Sequence, residues 1–343
     1  MNTPKSLGYR FPAEWEPHKA TWLSWPHRKD SWPGRLQNIF GAYSEFVKVI
    51  SEGEHVCINV NNEAMQKEAE NHLEKAGVKS ERVQFFLHPT NDAWCRDHGP
   101  GFLVREESPS KAVLNWNFNG WGGKLPHDLD DQIPMRIALL RDLPCFTPNI
   151  IMEGGSVDFN GAGTLLTTRS CLLNPNRNPH LNQEQIEEFL RDYYCVDQIL
   201  WLGDGITGDD TDGHIDDLTR FVNEDTVVTI ITSDSSHPDY DALQENAKAL
   251  RKMRLLNGKQ LNVIDLPLPS PYIEDDFFFP CSYANFYICN EAVIVPTFQD
   301  PRDEEALEIL SVCFRGKKVI GINSKEIIWG LGSFHCLSQQ EPL

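Results

Sequence analysis

Basic residues are few in this sequence: 31 lysines and arginines stand against 50 aspartates and glutamates, for a formal net charge of −19. A field of that sign repels nucleic acid and acidic lipid, which excludes both as expected partners, and it gathers small cations. No run approaches the roughly 20 apolar residues of a membrane-spanning helix. The opening residues, MNTPKSLGYRFPAEWEPH, lack the basic and apolar regions of a signal peptide, so a cytoplasmic protein is expected. No Gly/Ser linker or low-complexity stretch divides the chain, and residues 1–343 are read as a single catalytic domain. The nine cysteines form no C-x-x-C pair and are odd in number, which argues against a disulfide framework or a four-cysteine zinc site. Most of these thiols should be small buried hydrophobes.

What is present is a faint repeat. RDHGPGFLVREESPSKAVLNW, EGGSVDFNGAGTLLTTR, GHIDDLTRFVNEDTVVTI and YANFYICNEAVIVPTF each give a polar start, an apolar strand, a turn and a second strand. Helical patterns follow. NQEQIEEFLRDYY opens with Asn182 as N-cap and Gln185 three residues on, YDALQENAKALRKM places Leu243, Ala247 and Leu250 on one face, and DEEALEILSVCF behaves alike. A short strand comes next each time: QILWL, LNVIDL, KKVIGIN. In the N-terminal part RLQNIFGAYSEFVKVI and EAMQKEAENHLEKAG are helices, and HVCINV and RVQFFLH are strands. The chain thus reads as an α/β protein of five strand–strand–helix–strand modules. They can close into a ring if HKATWLSWP pairs with the last hairpin; an open two-domain α/β protein is the alternative. Asp97, Glu153, His214 and Cys336 begin four of the hairpins, so a ring would bring them to its axis.

The individual signals are modest. Cys336 follows Gly330 and Gly332, which allow a close backbone approach to a ligand. His335 beside it points to the opposite face of a strand and is not expected to be its base. His214 and Asp216, two apart in DDTDGHIDD, share a strand face as an acid/base beside a carboxylate. One histidine among aspartates could instead hold a cation, although an EF-hand alignment fails at Gly208. GDGITG at 203–208 matches a dinucleotide fingerprint but opens onto Asp209, Asp210 and Asp212, which would repel a phosphate. In NDAWCRDHGP, Asp92, Arg96 and Asp97 surround Trp94; WNFNGWGG places Trp121 among glycines. Two carboxylates with aromatic walls suit a planar guanidinium, whose N–H groups pair bidentately with each and whose carbon a thiolate can attack.

From PAEWEPHKATWLSWPH to GSFHCLSQQ the chain resembles the guanidino-group-modifying superfamily (the penteins), and within it the agmatine deiminase and bacterial-type peptidyl-arginine deiminase family. WCRDHGP, WNFNGWGG, MEGGSVDFNG, DTDGHIDDLTRF, SYANFYICNEAVIVPTF and HCLSQQ carry the resemblance. It implies a five-bladed α/β propeller with pseudo-fivefold symmetry. It also implies Cys336 as nucleophile, His214 as acid/base, Asp97 and Asp216 as guanidinium ligands, Glu153 beside His214, and Trp94 and Trp121 around the substrate. The loop GLGSFHC departs from the usual GGGNIHC at Leu331 and Ser333, a difference that bears on substrate preference. Gly332 and Asp210 complete the expected binding residues, with the run Asp209, Asp210 and Asp212 proposed to grip a distal amine. The implied reaction is agmatine deimination through a covalent amidino-cysteine, with no metal or organic cofactor. The implied partner is a small cationic guanidine, and a homo-oligomer is possible. Deimination of free or peptidyl arginine, amidino transfer to an amine, and guanidine binding by an inactive site are the competing readings.

Overall fold

The computed structural model describes residues 2–343. Its first unit holds β1 (His18–Ser24), α1 (Leu36–Gly53), β2 (His55–Asn59), α2 (Glu63–Lys75) and β3 (Val83–Phe86). The second holds β4 (Gly101–Val104), β5 (Lys111–Leu114), α3 (Ile133–Arg141) and β6 (Cys145–Phe146). The third holds β7 (Val157–Phe159), β8 (Thr164–Thr168), α4 (Gln183–Tyr193) and β9 (Gln198–Leu202). β10 (Thr219–Asn223), β11 (Thr226–Ile231), α5 (Tyr240–Leu250) and β12 (Asn262–Pro267) make the fourth. A two-stranded hairpin, β13 (Tyr272–Glu274) and β14 (Phe277–Phe279), precedes the fifth. That fifth unit is β15 (Tyr287–Ile288), β16 (Ala292–Thr297), α6 (Asp303–Cys313) and β17 (Lys318–Asn323). The chain ends in β18 (Ser338–Pro342).

Each later unit forms a three-stranded sheet by one rule: an antiparallel hairpin, then a helix, then a strand parallel to the second. The first sheet follows the same rule with its first strand taken from the other end of the chain, and adds a fourth strand, β3, parallel to β2. β18 pairs antiparallel with β1, Leu23 opposite Ser338, and β1 pairs parallel with β2. The expected pairing of HKATWLSWP with the terminal strand is therefore present. β11 and β16 are buried almost throughout because helices cover one side and the protein interior the other, which suits their Val- and Ile-rich runs.

Local chemistry places the helices. Asn182 accepts from the Gln185 backbone while the Gln185 side chain returns to the Asn182 N–H, a reciprocal cap on α4. Leu243, Ala247 and Leu250 are the buried stripe of α5. α3 and the β13–β14 hairpin have no counterpart in the sequence reading. α3 exposes Leu139 while burying Ile133 and Ile137, so its apolar residues mark no single stripe. GDGITG leads from β9 into turns and not into a helix, so it forms no phosphate-binding helix start.

Candidate active site

Four short turns deliver the candidate groups. Asp97 lies in the helical turn Cys95–His98, Glu153 directly precedes the turn Gly154–Ser156, and His214 precedes the turn Ile215–Asp217, which contains Asp216. Cys336 lies in the turn before β18. The expectation that His214 and Asp216 share a strand face is corrected: the segment is a 3-10 turn, because Asp209 Oδ2 accepts from the Gly213 and His214 amides and curls the loop. The two side chains still converge. A Cβ added to Gly155 would lie 2.6 Å from His214 Nδ1, 2.8 Å from Asp97 Oδ1 and 3.0 Å from Asp216 Oδ2. The second glycine of EGG is thus required by three side chains meeting over it.

Asp97 accepts from the Gly155 amide at 2.9 Å and, through its other oxygen, from Trp121 Nε1 at 2.9 Å. Trp121 is held in the left-handed region (φ 57°) to make that contact, a costly conformation for a bulky residue and one typical of functional loops. His214 Nδ1 is 3.6 Å from Asp97 and its Nε2 is 3.8 Å from Glu153, and neither ring nitrogen has a hydrogen-bond partner. Arg177 Nε donates to Glu153 at 2.6 Å, fixing that carboxylate from behind. Cys336 Sγ lies 3.5 Å from Asp216 Oδ2, while Asp216 Oδ1 is buried without a partner.

The sequence reading missed Asn285, at the start of the fifth unit's hairpin. Its amide donates to Cys336 Sγ at 3.0 Å and to Asp217 at 2.9 Å, and its carbonyl accepts from the backbone N–H of His335 and Cys336. With both donors and both lone pairs used, the amide cannot flip, and an N–H is held at the sulfur. The signal was available: each hairpin start supplies a polar group, and SYAN is the one left unassigned.

His335 is tied between Asp216 (2.6 Å) and Glu14 (2.9 Å), so it is no base for Cys336, for a reason of contacts and not of strand alternation. Gly330 and Gly332 line the cavity that reaches Cys336, and they also make room for tryptophans: a Cβ on Gly332 would lie 2.7 Å from the Trp94 ring and 3.1 Å from Cys336 Cβ, and one on Gly330 would lie 2.6 Å from Trp94. Asp92 and Arg96 do not join Asp97 in a clamp. Asp92 accepts from Ser31, and Arg96 is buried against Glu14. The acidic run also divides. Asp209 organises its own loop, Asp212 pairs with Arg177 and Lys124, and Asp210 lines the cavity.

That cavity is about 340 Å³ and reaches Cys336, Asp97, Trp94 and Trp121 at its base. Trp329, Phe277 and Phe279 form walls, and Asp30, Asp210, Glu274 and Asp275 supply acid. Arg28 is the one cation among the residues lining it, and it faces Asp30 at 3.7 Å and Asp92 at 3.9 Å.

Burial sets the charges. It pushes Asp97 up to about 6, helped by Asp216 and Glu153 and opposed by His214 and Trp121. For His214 burial works against the proton, but the Asp97 charge, with Cys171 and Glu153, outweighs it and holds the imidazole well above its ordinary range. Burial, then Asp216, Asp217 and Asp97, holds the Cys336 thiol well above a free thiol, with Asn285 opposing. These surroundings favour a thiol at Cys336 and an imidazolium at His214. A bound cation would favour the thiolate.

A buried cysteine, an unpartnered histidine and paired carboxylates under an acidic, aromatic-walled cavity define a site for modifying a cationic planar group. The family model of the Porphyromonas-type peptidyl-arginine deiminases matches residues 10–342, and the chain belongs to that family. The agmatine deiminase of Pseudomonas aeruginosa (strain UCBPP-PA14) is 34% identical over 99% of this chain and 97% of its own length. The solved agmatine deiminase of Enterococcus faecalis is 35% identical, covers 100% of this chain and 98% of its own, and superposes with a TM-score of 0.92. A C. jejuni agmatine deiminase variant with substrate bound is 34% identical over 97% of this chain and 96% of its own, with a TM-score of 0.88. No helix among the described residues is long and apolar enough to cross a membrane.

Proposed function

We propose that this protein is an agmatine deiminase, converting agmatine and water to N-carbamoylputrescine and ammonia. The observation that carries the choice of substrate is the cavity lining: four carboxylates besides Asp97, and a single arginine already facing two acids, suit an amine tail and not an α-carboxylate. Relatives of similar length that are agmatine deiminases support it. The five like sheets, the first joining both chain ends, support a reading of the fold as a five-bladed α/β propeller in one catalytic domain.

In this reading Asp97 and Asp216 flank the guanidinium. The Cys336 thiol loses its proton to solvent as the cation settles among the carboxylates, and the thiolate, held by Asn285, adds to the guanidinium carbon. His214 gives its proton to the departing nitrogen; the C–N bond breaks, ammonia leaves, and an amidino-thioether remains. His214, now neutral, takes a proton from water, whose oxygen adds to the same carbon; the C–S bond breaks as the remaining hydroxyl proton passes to the sulfur, releasing the ureido product and the Cys336 thiol. Glu153 and Arg177 orient His214, and Trp94 and Trp121 wall the planar group. Asp210 receives the distal amine.

Arginine is the second reading, because buried Arg28 Nε has no hydrogen-bond partner and lines the same cavity. Ammonia release from agmatine, arginine and a peptide ending in arginine, with Cys336→Ala as the blank, separates the two. Turnover of agmatine alone is expected. Faster turnover of the peptide overturns the substrate assignment, and no turnover of any guanidine overturns the reaction.

A further inference from the structure

The two oxygens of Asp216 are used differently. Oδ2 accepts from His335 Nδ1 at 2.6 Å, whereas Oδ1 is buried and unpartnered. The second ring nitrogen of His335, Nε2, stands 2.9 Å from Glu14 Oε2. Glu14 is itself surrounded by donors: Arg220 at 3.1 Å, Arg96 at 3.2 Å and the Ile288 amide at 2.8 Å. Burial opposes its charge, but Arg220, His335 and Arg96 together hold Glu14 well below the ordinary carboxylate range. An ionised carboxylate only accepts. An imidazole between two of them donates from both nitrogens. Glu14 precedes β1 and His335 is 321 residues away, so the contact brings the N-terminal segment to the back of the site.

We propose that His335 is a positioning residue: a buried Glu14–His335–Asp216 relay turns Asp216 so that Oδ1 faces the guanidinium, and keeps that carboxylate ionised. The inference rests on the reading of Asp216 as a guanidinium ligand. Asp216 is faced by His335 and Cys336 from the terminal turn, His214 and Asp217 from its own turn, Asp97 across the site, Glu153 beyond His214, and Arg220 from β10. Burial raises its pKa, and the hydrogen bond and charge of His335 are the foremost of the effects that bring it below the ordinary value. Removing His335 leaves burial with weaker opposition, so Asp216 takes a proton at a higher pH.

The test is kcat and KM for agmatine from pH 5 to 9 in wild type, His335→Ala and His335→Asn, with the melting temperature of each. Alanine removes both hydrogen bonds; the asparagine amide keeps an N–H within reach of Asp216. In His335→Ala, KM rises at least about tenfold, more than kcat falls, as for a lost hydrogen bond to a charged group. His335→Asn recovers most of the KM. An alanine variant with wild-type KM overturns the proposal, as does an asparagine variant no better than alanine at equal melting temperature. If wild type turns over no guanidine, the functional reading falls, and imidazole ¹⁵N spectra at pH 7 then decide the relay alone. His335, assigned by its loss in His335→Asn, carries protons on both nitrogens if the relay exists and on one if it does not.

Discussion

Asp216 acts on Cys336 in two opposed ways, and substituting it separates them. In the proposed reaction it binds the substrate cation, yet in the free protein it repels a thiolate. Sγ and Asp216 Oδ2 are 3.5 Å apart and both residues are buried. At an effective dielectric of 20, two unit charges at that distance repel by roughly 5 kcal/mol, or between about three and four pKa units. Asp216→Asn removes that repulsion at constant shape. About half of the gain in thiolate is returned as lost nucleophilicity, because a less basic thiolate is a poorer nucleophile. The expected net result is a rise on the order of 10- to 50-fold in the rate at which neutral iodoacetamide alkylates Cys336 at pH 7. The same variant loses its guanidinium ligand, and agmatine turnover falls at least about a hundredfold. The assay is timed alkylation read by peptide mass, with Cys336→Ala as blank and urea-unfolded protein as the reference thiol. A variant that alkylates no faster than wild type would falsify the account of carboxylates holding the thiol protonated. A rise in both alkylation and turnover would refute Asp216 as a substrate ligand.

Asp97, pushed up to about 6 chiefly by burial, is ionised and able to clamp only above that pH, so kcat/KM for agmatine falls as pH drops through about 6. Trp121→Phe deletes the N–H that favours the Asp97 carboxylate, and the same limb should move upward by about one unit in a pH–rate profile. Arg177→Met leaves Glu153 charged and buried without its cation, and urea titration should show a loss of about 3–5 kcal/mol. Gly332→Ala drives a methyl into Trp94 and Cys336, and a melting curve with an agmatine assay should record about 1–3 kcal/mol of lost stability and at least a tenfold loss of activity.

What could be read from the sequence is what repeats or lies close together in it. The hairpins announced themselves by alternating strands and turns, α4 by the Asn182–Gln185 cap, and the site by reactive residues recurring at hairpin starts. Glu14 carries no such mark. It sits in an irregular segment and works through Arg96, Arg220 and His335, 82, 206 and 321 residues distant, so no local pattern could single it out. Glycines were half legible for a related reason. Gly330 and Gly332 were read as space for a ligand and do line the cavity, but Trp94 and Trp32, which stand where a Cβ would lie, come from elsewhere in the chain.

Asn285 is the instructive omission. Asparagine cannot titrate, so it escaped a search for acids, bases and nucleophiles, although it is the group bonded to the sulfur. The repeat itself would have found it. If each hairpin start points at one centre, a polar residue at the one unassigned start belongs to the site whatever its pKa. Its chemistry then follows from its neighbours: beside Asp217 and Cys336, an amide N–H is the donor that can serve both without adding a charge. A lysine there would ion-pair with Asp217 and compete with the substrate cation; an aspartate would add a further charge against the thiolate. The neutrality that hid the residue is the property the site requires of it.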